Sequence, residues 1–365
     1  MTIGDIITYI MLFFALIGAA DRAIGCRFGP GKAFERGFEA TGALILTMIG
    51  PITLAPLIAK YLAPLLEPFF GMLGIDPSIV AGIFLANDAG GWQLALALAQ
   101  DEQIGRLAGS VIGSTMGCTL ISTFPLCFAI VPREKHSLAA KGIVIGIITL
   151  PLTYAVSGLM FGIPILLLLR NLLPLFLFAG IFIVGLLFFE RITVKCVTVF
   201  GYILTGILTA ALAVAMVVKV TGIQAADLGS FDEGMLIIGG IAIFLCGAFT
   251  LLFFLEKLCR RAFSRVGGKL GINEASVMGI VTSSVNGIPV FAMTREMNDR
   301  GIVLNLAYMI PASFVIGDHL AFQAAVDTST VLPLIVGKLA GGILALVLAV
   351  MLTKGCDRTE AANNE

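Results

Sequence analysis

Ionisable side chains inside long apolar runs are the residues of this chain best suited to chemistry. Asp88 stands in the string Leu-Ala-Asn-Asp-Ala-Gly-Gly at 85–91, and Asp318 and His319 interrupt the apolar run 303–325. A charge at membrane depth costs about 2.5–3.5 kcal/mol on insertion scales, so such residues need a partner or a task. We expect Asp88 to act as counter-ion for a cationic substrate, to cap the short helix that follows, or both. We expect Asp318 and His319 to handle substrate or protons, or to form a structural pair.

Neutral polar side chains also interrupt apolar runs, in two turn sequences. Asn87 precedes Asp88, and the string Thr-Ser-Ser-Val-Asn-Gly at 282–287 supplies Ser283, Ser284 and Asn286. These side chains offer hydrogen-bond donors and acceptors to a small ligand. Each can instead close its own turn by bonding the backbone, which is the commoner use of such residues.

Motifs of other function classes are missing from the sequence. It contains no His-Glu-x-x-His, no Gly-x-Ser-x-Gly and no Walker A string, and its seven cysteines form no Cys-x-x-Cys. We therefore expect no catalytic residue, no metal and no cofactor. The net charge of zero argues against a nucleic acid partner. One enzymatic alternative stays open, in which Asp318 and His319 act as acid and base within the membrane.

The elements that must position these residues are membrane helices. Hydrophobic residues make up 58% of the chain and charged residues 13%, against about 25% charged in a globular domain. Apolar runs recur from end to end, which predicts an all-α polytopic membrane protein. The eleven segments are about 6–20, 38–59, 77–99, 107–130, 142–163, 172–189, 197–218, 235–255, 274–294, 303–325 and 332–352.

The distribution of lysine and arginine decides between two topologies. If all eleven segments cross, these residues divide 12 to 11 between the two sides, which gives no orientation. If 77–99 and 274–294 are re-entrant, lysine and arginine divide 18 to 5 between the two sides. Cytoplasmic loops carry the excess of lysine and arginine, so the side with 18 is the cytoplasm. This predicts nine crossings, two re-entrant hairpins, an outer N-terminus and a cytoplasmic C-terminus; kinked but complete crossings are the alternative. The poor side then holds Lys60, Arg106, Arg170, Lys219 and Lys338.

An internal repeat accompanies this pattern. Residues 34–95 and 231–292 align without a gap at a shift of 197 positions, with 16 of 62 identical. With two re-entrant segments the repeat would be inverted, and the two turn sequences would meet near the midplane, where such proteins bind substrate. The predicted division is a first half at 1–165, a linking helix at 166–196, a second half at 197–355 and a cytoplasmic tail at 356–365.

Four strings resemble the ethanolamine-utilisation permease family, EutH. They are Phe-Glu-Arg-Gly-Phe-Glu-Ala-x-Gly-Ala from 34, Leu-Ala-Asn-Asp-Ala-Gly-Gly from 85, Gly-Ile-Pro-Val-Phe from 287 and Phe-Val-Ile-Gly-Asp-His-Leu-Ala-Phe from 314. The resemblance runs nearly end to end and implies a bacterial inner-membrane protein that imports ethanolamine. The family motifs carry over onto Asn87, Asp88, Gly90, Gly91, Asp318 and His319.

The resemblance and the residues together give one predicted site and its partners. The candidate substrate-binding residues are Asn87, Asp88, Gly90, Ser283, Ser284, Asn286, Asp318 and His319. The expected partners are ethanolamine and the lipid bilayer, with a homo-oligomer suggested by analogy alone. Ethanolamine is mostly protonated at neutral pH, so a carboxylate would pair with its ammonium. A permease for another small solute, such as an amino acid or nucleoside, and a non-transporting scaffold remain alternatives.

Overall fold

The computed structural model describes residues 3–223 and 228–353, and its regular structure is helical throughout those ranges. The predicted tail 356–365 lies outside them. The fifteen α-helices are α1 (Ile3–Ala23), α2 (Pro30–Leu73), α3 (Ser78–Phe84), α4 (Trp92–Leu98), α5 (Glu102–Arg106), α6 (Phe124–Ile130), α7 (His136–Met160), α8 (Ile165–Phe188), α9 (Glu190–Thr221), α10 (Phe231–Leu270), α11 (Glu274–Val285), α12 (Ile288–Met293), α13 (Asp299–Ala312), α14 (Asp318–Val326) and α15 (Val331–Leu352). The π-helical segments Leu107–Gly117 and Thr119–Thr123 connect α5 to α6.

Eight helical stretches in the described residues are long and apolar enough to cross a bilayer. They are Gly4–Ala23, Pro30–Leu66, Glu102–Ile130, Arg133–Met160, Ile165–Phe188, Glu190–Thr221, Phe231–Leu255 and Thr328–Leu352. A helix satisfies its own backbone polar groups, which lipid cannot do, so such runs fold this way. The prediction of an all-α polytopic membrane protein is confirmed. The other three predicted segments, 77–99, 274–294 and 303–325, are each interrupted.

The first interrupted segment folds back on itself. Helices α3 and α4 are joined by extended residues and a π-helical turn at Asn87–Gly91, here called the first break. The carboxylate of Asp76, just before α3, accepts hydrogen bonds from the backbone N–H of Gln100 at 2.9 Å and of Asp101 at 2.7 Å, just after α4. The two ends of the segment therefore lie side by side. This geometry is that of a hairpin and differs from a kinked crossing.

The second interrupted segment is closed in the same way. The side-chain amide of Asn273, before α11, donates to the carbonyl of Glu296 at 2.7 Å, after α12. The amide of Asn298 donates back to the carbonyl of Gly271 at 3.0 Å. Asn273 is the residue that the shift of 197 pairs with Asp76, so one clamp position serves both hairpins.

The third interruption separates α13 from α14 within the predicted run 303–325. Residues Ser313–Gly317, here called the α13–α14 break, are not helical, and Phe314 has a φ of 57°, which is strained for a bulky residue. The N–H of Phe314 donates to the carbonyl of Ser283 at 2.8 Å, and the N–H of Ile316 donates to that of Ser284 at 2.8 Å. These two bonds attach the break to the end of α11 and help to hold the strained backbone.

Other structural features also follow the shift of 197. Gly25 pairs with Gly222 and Gly74 with Gly271, and all four have positive φ just after a long helix. Helix α1 packs on α10 while α9 packs on α2, and α2 contacts α10 as α7 contacts α15. Reciprocal packing of this kind is what a two-fold relation between halves produces. The inverted orientation of the halves 1–165 and 197–355 stays a prediction.

Candidate functional site

The first break exists because its sequence cannot continue a helix. Gly90 has a φ of 87°, a conformation that costs other residues about 1–2 kcal/mol. A Cβ built on Gly90 would lie 2.3 Å from the Cβ of Pro51 in α2, so the position has no room for a side chain. Gly90 therefore shapes the turn and contributes no side chain to a site. The N-cap of α4 is Gly91, without a side-chain bond, so Asp88 does not cap this helix.

Asn87 of the first break meets the start of α14. Its side-chain amide donates to the carbonyl of His319 at 3.4 Å, across 232 residues of sequence. Asn87 is fully buried, and its Oδ1 has no hydrogen-bond partner in the described protein. Asp318, beside His319, also has a buried Oδ1 without a partner. The carboxylates of Asp88 and Asp318 are within electrostatic range of each other, and each residue as a whole is only partly buried.

A lysine that was not among the predicted site residues completes this group. Lys338 in α15 is fully buried, and its Nζ donates to the carbonyl of Ser114 at 2.8 Å and lies 3.2 Å from Nδ1 of His319. It is also within electrostatic range of Asp88. Counting Lys338 among the loop charges of the poor side was wrong, because it sits inside a spanning helix. The signal was present, since Lys338 is the single charged residue in α15.

We call Asn87, Asp88, Asp318, His319 and Lys338 the charged cluster. The first break, α14 and α15 supply its members, and the π-helical segment Leu107–Gly117 closes it through the carbonyl of Ser114. Four of the eight predicted site residues therefore lie together. No group of three or more His, Cys, Asp or Glu in the described residues has the arrangement of a metal site.

The predicted polar residues of the second hairpin bond their own surroundings. The hydroxyls of Ser283 and Ser284 donate to the carbonyl of Ile280, at 2.9 and 3.1 Å. Ser284 also meets the hydroxyl of Tyr308 at 2.9 Å. The Oδ1 of Asn286 accepts the N–H of Ile288 at 3.0 Å. All three side chains thus bond local backbone, the alternative that the sequence left open: Asn286 closes its turn, while Ser283 and Ser284 bond a carbonyl of their own helix, α11.

Phe314 lies between the two hairpins. It packs in one apolar cluster with Ala86 and Ala89 of the first hairpin, and its ring is 3.4 Å from where a Cβ on Gly287 would be. The ring centroid is also 4.7 Å from that of His319. The turn sequences therefore approach each other through the α13–α14 break, and the second hairpin reaches the site through the carbonyls of Ser283 and Ser284.

A separate cavity of about 220 Å³ borders the second hairpin on the side of α10. It is lined by Ser284 and Tyr308 together with apolar side chains of α10 and α11. None of its lining residues carries a charge, so it offers nothing to balance a cation. The charged cluster is the better candidate for an ionic ligand.

Comparison with known proteins places the geometry in context. The family model described as "Ethanolamine utilisation protein, EutH" matches residues 3–352. The chain is 39% identical over 353 residues to the probable ethanolamine permease EutH of Listeria monocytogenes, covering 96% of this chain and 95% of that protein. It is 36% identical to the uncharacterized protein YxeR of Bacillus subtilis, covering 97% and 96%. It is 34% identical to the probable ethanolamine permease EutH of Escherichia coli, covering 98% of each. No solved structure matches the chain significantly.

Proposed function

The chain belongs to the ethanolamine utilisation protein EutH family, and on that premise we propose that it imports ethanolamine, as the protonated cation, across the bacterial cytoplasmic membrane. The charged cluster is the proposed binding site. The N-terminus is proposed to lie outside and the C-terminus in the cytoplasm, following the distribution of lysine and arginine.

One observation supports this substrate above all. Two acceptor atoms, Oδ1 of Asn87 and Oδ1 of Asp318, are buried without a partner in the described protein, and a second carboxylate, that of Asp88, is within electrostatic range of Asp318. Leaving a buried polar atom unpaired costs about 1–3 kcal/mol, so the site is suited to a ligand that brings donors. Ethanolamine brings three N–H donors and one O–H donor.

The two ends of the ligand would make different contacts. The ammonium would donate to Asp318 and Asp88, because charge-assisted bonds are about twice as strong as neutral ones. The hydroxyl would donate to Oδ1 of Asn87, whose amide is held by the carbonyl of His319.

The driving force needs no further component. One positive charge moving inward gains about 2.3 kcal/mol per 100 mV of membrane potential. The first break and the α13–α14 break both interrupt helices beside the cluster. Discontinuous helices typically form the substrate site of carriers with internal repeats, and movement of one repeat against the other exposes that site to either side.

The test is uptake of labelled ethanolamine into liposomes that contain the purified protein, at mildly acidic pH, where little neutral amine leaks across. We expect saturable uptake, intact ethanolamine recovered from the lumen, and weak competition by amino acids and nucleosides. Chemically altered product would instead support the acid–base alternative. Flux equal to that of protein-free liposomes would refute the proposal.

A further inference from the structure

Lys338 places a positive charge inside the site that is proposed to bind a cation. Its Nζ donates to the carbonyl of Ser114 at 2.8 Å and contacts Nδ1 of His319 at 3.2 Å, and no water-exposed surface remains on the residue. A buried charge persists only where it is paired or hydrogen-bonded. The positive charge of Lys338 would repel the ammonium of a cationic ligand. The other charges of the cluster must therefore outweigh it if the site is to bind a cation.

The charges of the cluster can be summed from the contacts. An ammonium has donors only, so Nδ1 of His319 accepts from Lys338, and the imidazole is then neutral with its hydrogen on Nε2. The ionisable groups within electrostatic range of the lysine are the carboxylate of Asp88 and the thiol of Cys118, and the carboxylate of Asp318 is within range of Asp88. Two carboxylates and one ammonium leave a single negative charge.

We propose that Lys338 sets the charge selectivity of the site. The two carboxylates can balance two positive charges, and the fixed charge of Lys338, within electrostatic range of Asp88, balances one of them. The single negative charge that remains accepts one monocation at Asp318 and disfavours a dication, which would bring a second positive charge into a cluster that already holds Lys338. This inference rests on the proposed function, because it names which amines the same site admits.

The shift of 197 provides a matched control for this residue. It pairs Lys338 with Lys141 of α7, whose Nζ donates to the carbonyl of Leu352 at the surface of the protein. The two lysines are equivalent in the repeat but only Lys338 touches the charged cluster. Removing the charge at 141 should therefore leave selectivity unchanged.

The experiment compares ethanolamine with 1,3-diaminopropane, which carries two ammonium groups at neutral pH. Uptake of labelled ethanolamine by proteoliposomes is competed with each unlabelled amine in the unaltered protein, in Lys338→Met and in Lys141→Met. Methionine keeps the length and removes the charge. We expect the diamine to compete poorly in the unaltered protein and in Lys141→Met. In Lys338→Met the ratio of inhibition constants should move towards the diamine by about tenfold or more, because the like-charge repulsion from Lys338 is gone.

Each outcome has one meaning. An unchanged ratio in a Lys338→Met protein that still transports overturns the inference and leaves the proposed function intact. Absence of ethanolamine uptake by the unaltered protein overturns both. If Lys338→Met does not fold, thermal unfolding of the unaltered protein decides: a diamine that raises the melting temperature as much as ethanolamine does overturns the inference, and stabilisation by ethanolamine alone supports it.

Discussion

Replacing Asp318 by asparagine removes one negative charge and almost no volume, so it isolates the counter-ion. A cation about 4 Å from a carboxylate gains about 4 kcal/mol at an effective dielectric constant of 20. An amide oxygen in the same place still accepts a neutral hydrogen bond worth about 0.5–1.5 kcal/mol. The difference is about 2.5–3.5 kcal/mol, which corresponds to roughly a hundredfold rise in the KM for uptake.

The effect of the same change on stability has the opposite expected sign. Oδ1 of Asp318 is buried without a partner, and desolvating an unpaired carboxylate is costly. Asp318→Asn should therefore keep or raise the melting temperature of the purified protein while it weakens uptake. A general loss of folding would lower both, so the two measurements together separate a binding role from a structural one.

The assay is the initial rate of labelled ethanolamine uptake by proteoliposomes over a range of concentrations. Asp327→Asn is the matched control, because Asp327 lies at the other end of α14 and pairs with Arg106 at 3.3 Å, a partly exposed pair worth at most about 1 kcal/mol. Its KM should stay within about twofold of the unaltered value. If Asp318→Asn and Asp88→Asn both behave like this control, the carboxylates are not the counter-ions and the reasoning fails.

Three further results follow from the same geometry. Gly90→Ala should destabilise the protein by about 2–5 kcal/mol through positive φ and the clash with Pro51, whereas Gly42→Ala, with nothing within 4 Å, should leave the melting temperature unchanged or higher. An inside-negative potential of 100 mV imposed on liposomes should raise accumulation of ethanolamine about 50-fold. Accumulation that does not change with the potential would mean that no net charge moves. In a cysteine-free background, cysteines that replace Met72 and Glu102 should react with an impermeant reagent from outside the cell. A cysteine that replaces Lys269 should react only after permeabilisation. Labelling of positions 72 and 102 from opposite sides of the membrane would exclude the first hairpin.

Much of the architecture could be predicted from the sequence, because segments that cross a lipid bilayer must be predominantly apolar. The apolar runs gave the spanning helices, and the charge distribution favoured two hairpins, which agrees with the clamps at Asp76 and Asn273. Helix lengths were less predictable: α2 runs to Leu73 and α10 to Leu270, well beyond the apolar runs 38–59 and 235–255. Helix α2 continues past Lys60 into a second, mostly apolar stretch at 61–73, and α10 continues through the polar stretch 256–270.

The composition of the site was only half predictable, because it depends on which side chains meet across the fold. Asp88 and Asp318 stood out as charges inside apolar runs, and their pairing needed the three-dimensional structure. Lys338 was overlooked because it was counted as a loop charge near the start of its helix. Ser283, Ser284 and Asn286 have the same chemistry as a ligand site, and their local bonds to the backbone cannot be told from ligand contacts in a sequence.

The cluster breaks the symmetry that the rest of the fold follows. The shift of 197 sets Asp88 against Val285 and Asp318 against Ile121, so neither carboxylate has a charged equivalent in the other half. A second set would place four carboxylates near the contact between halves, and each buried ion costs several kcal/mol even after relaxation. One set is enough to bind one monocation, while the repeated hairpins still supply two related supports around it. The repeat thus builds the frame, and in the proposed binding mode the single-copy charges at the breaks specify the ligand.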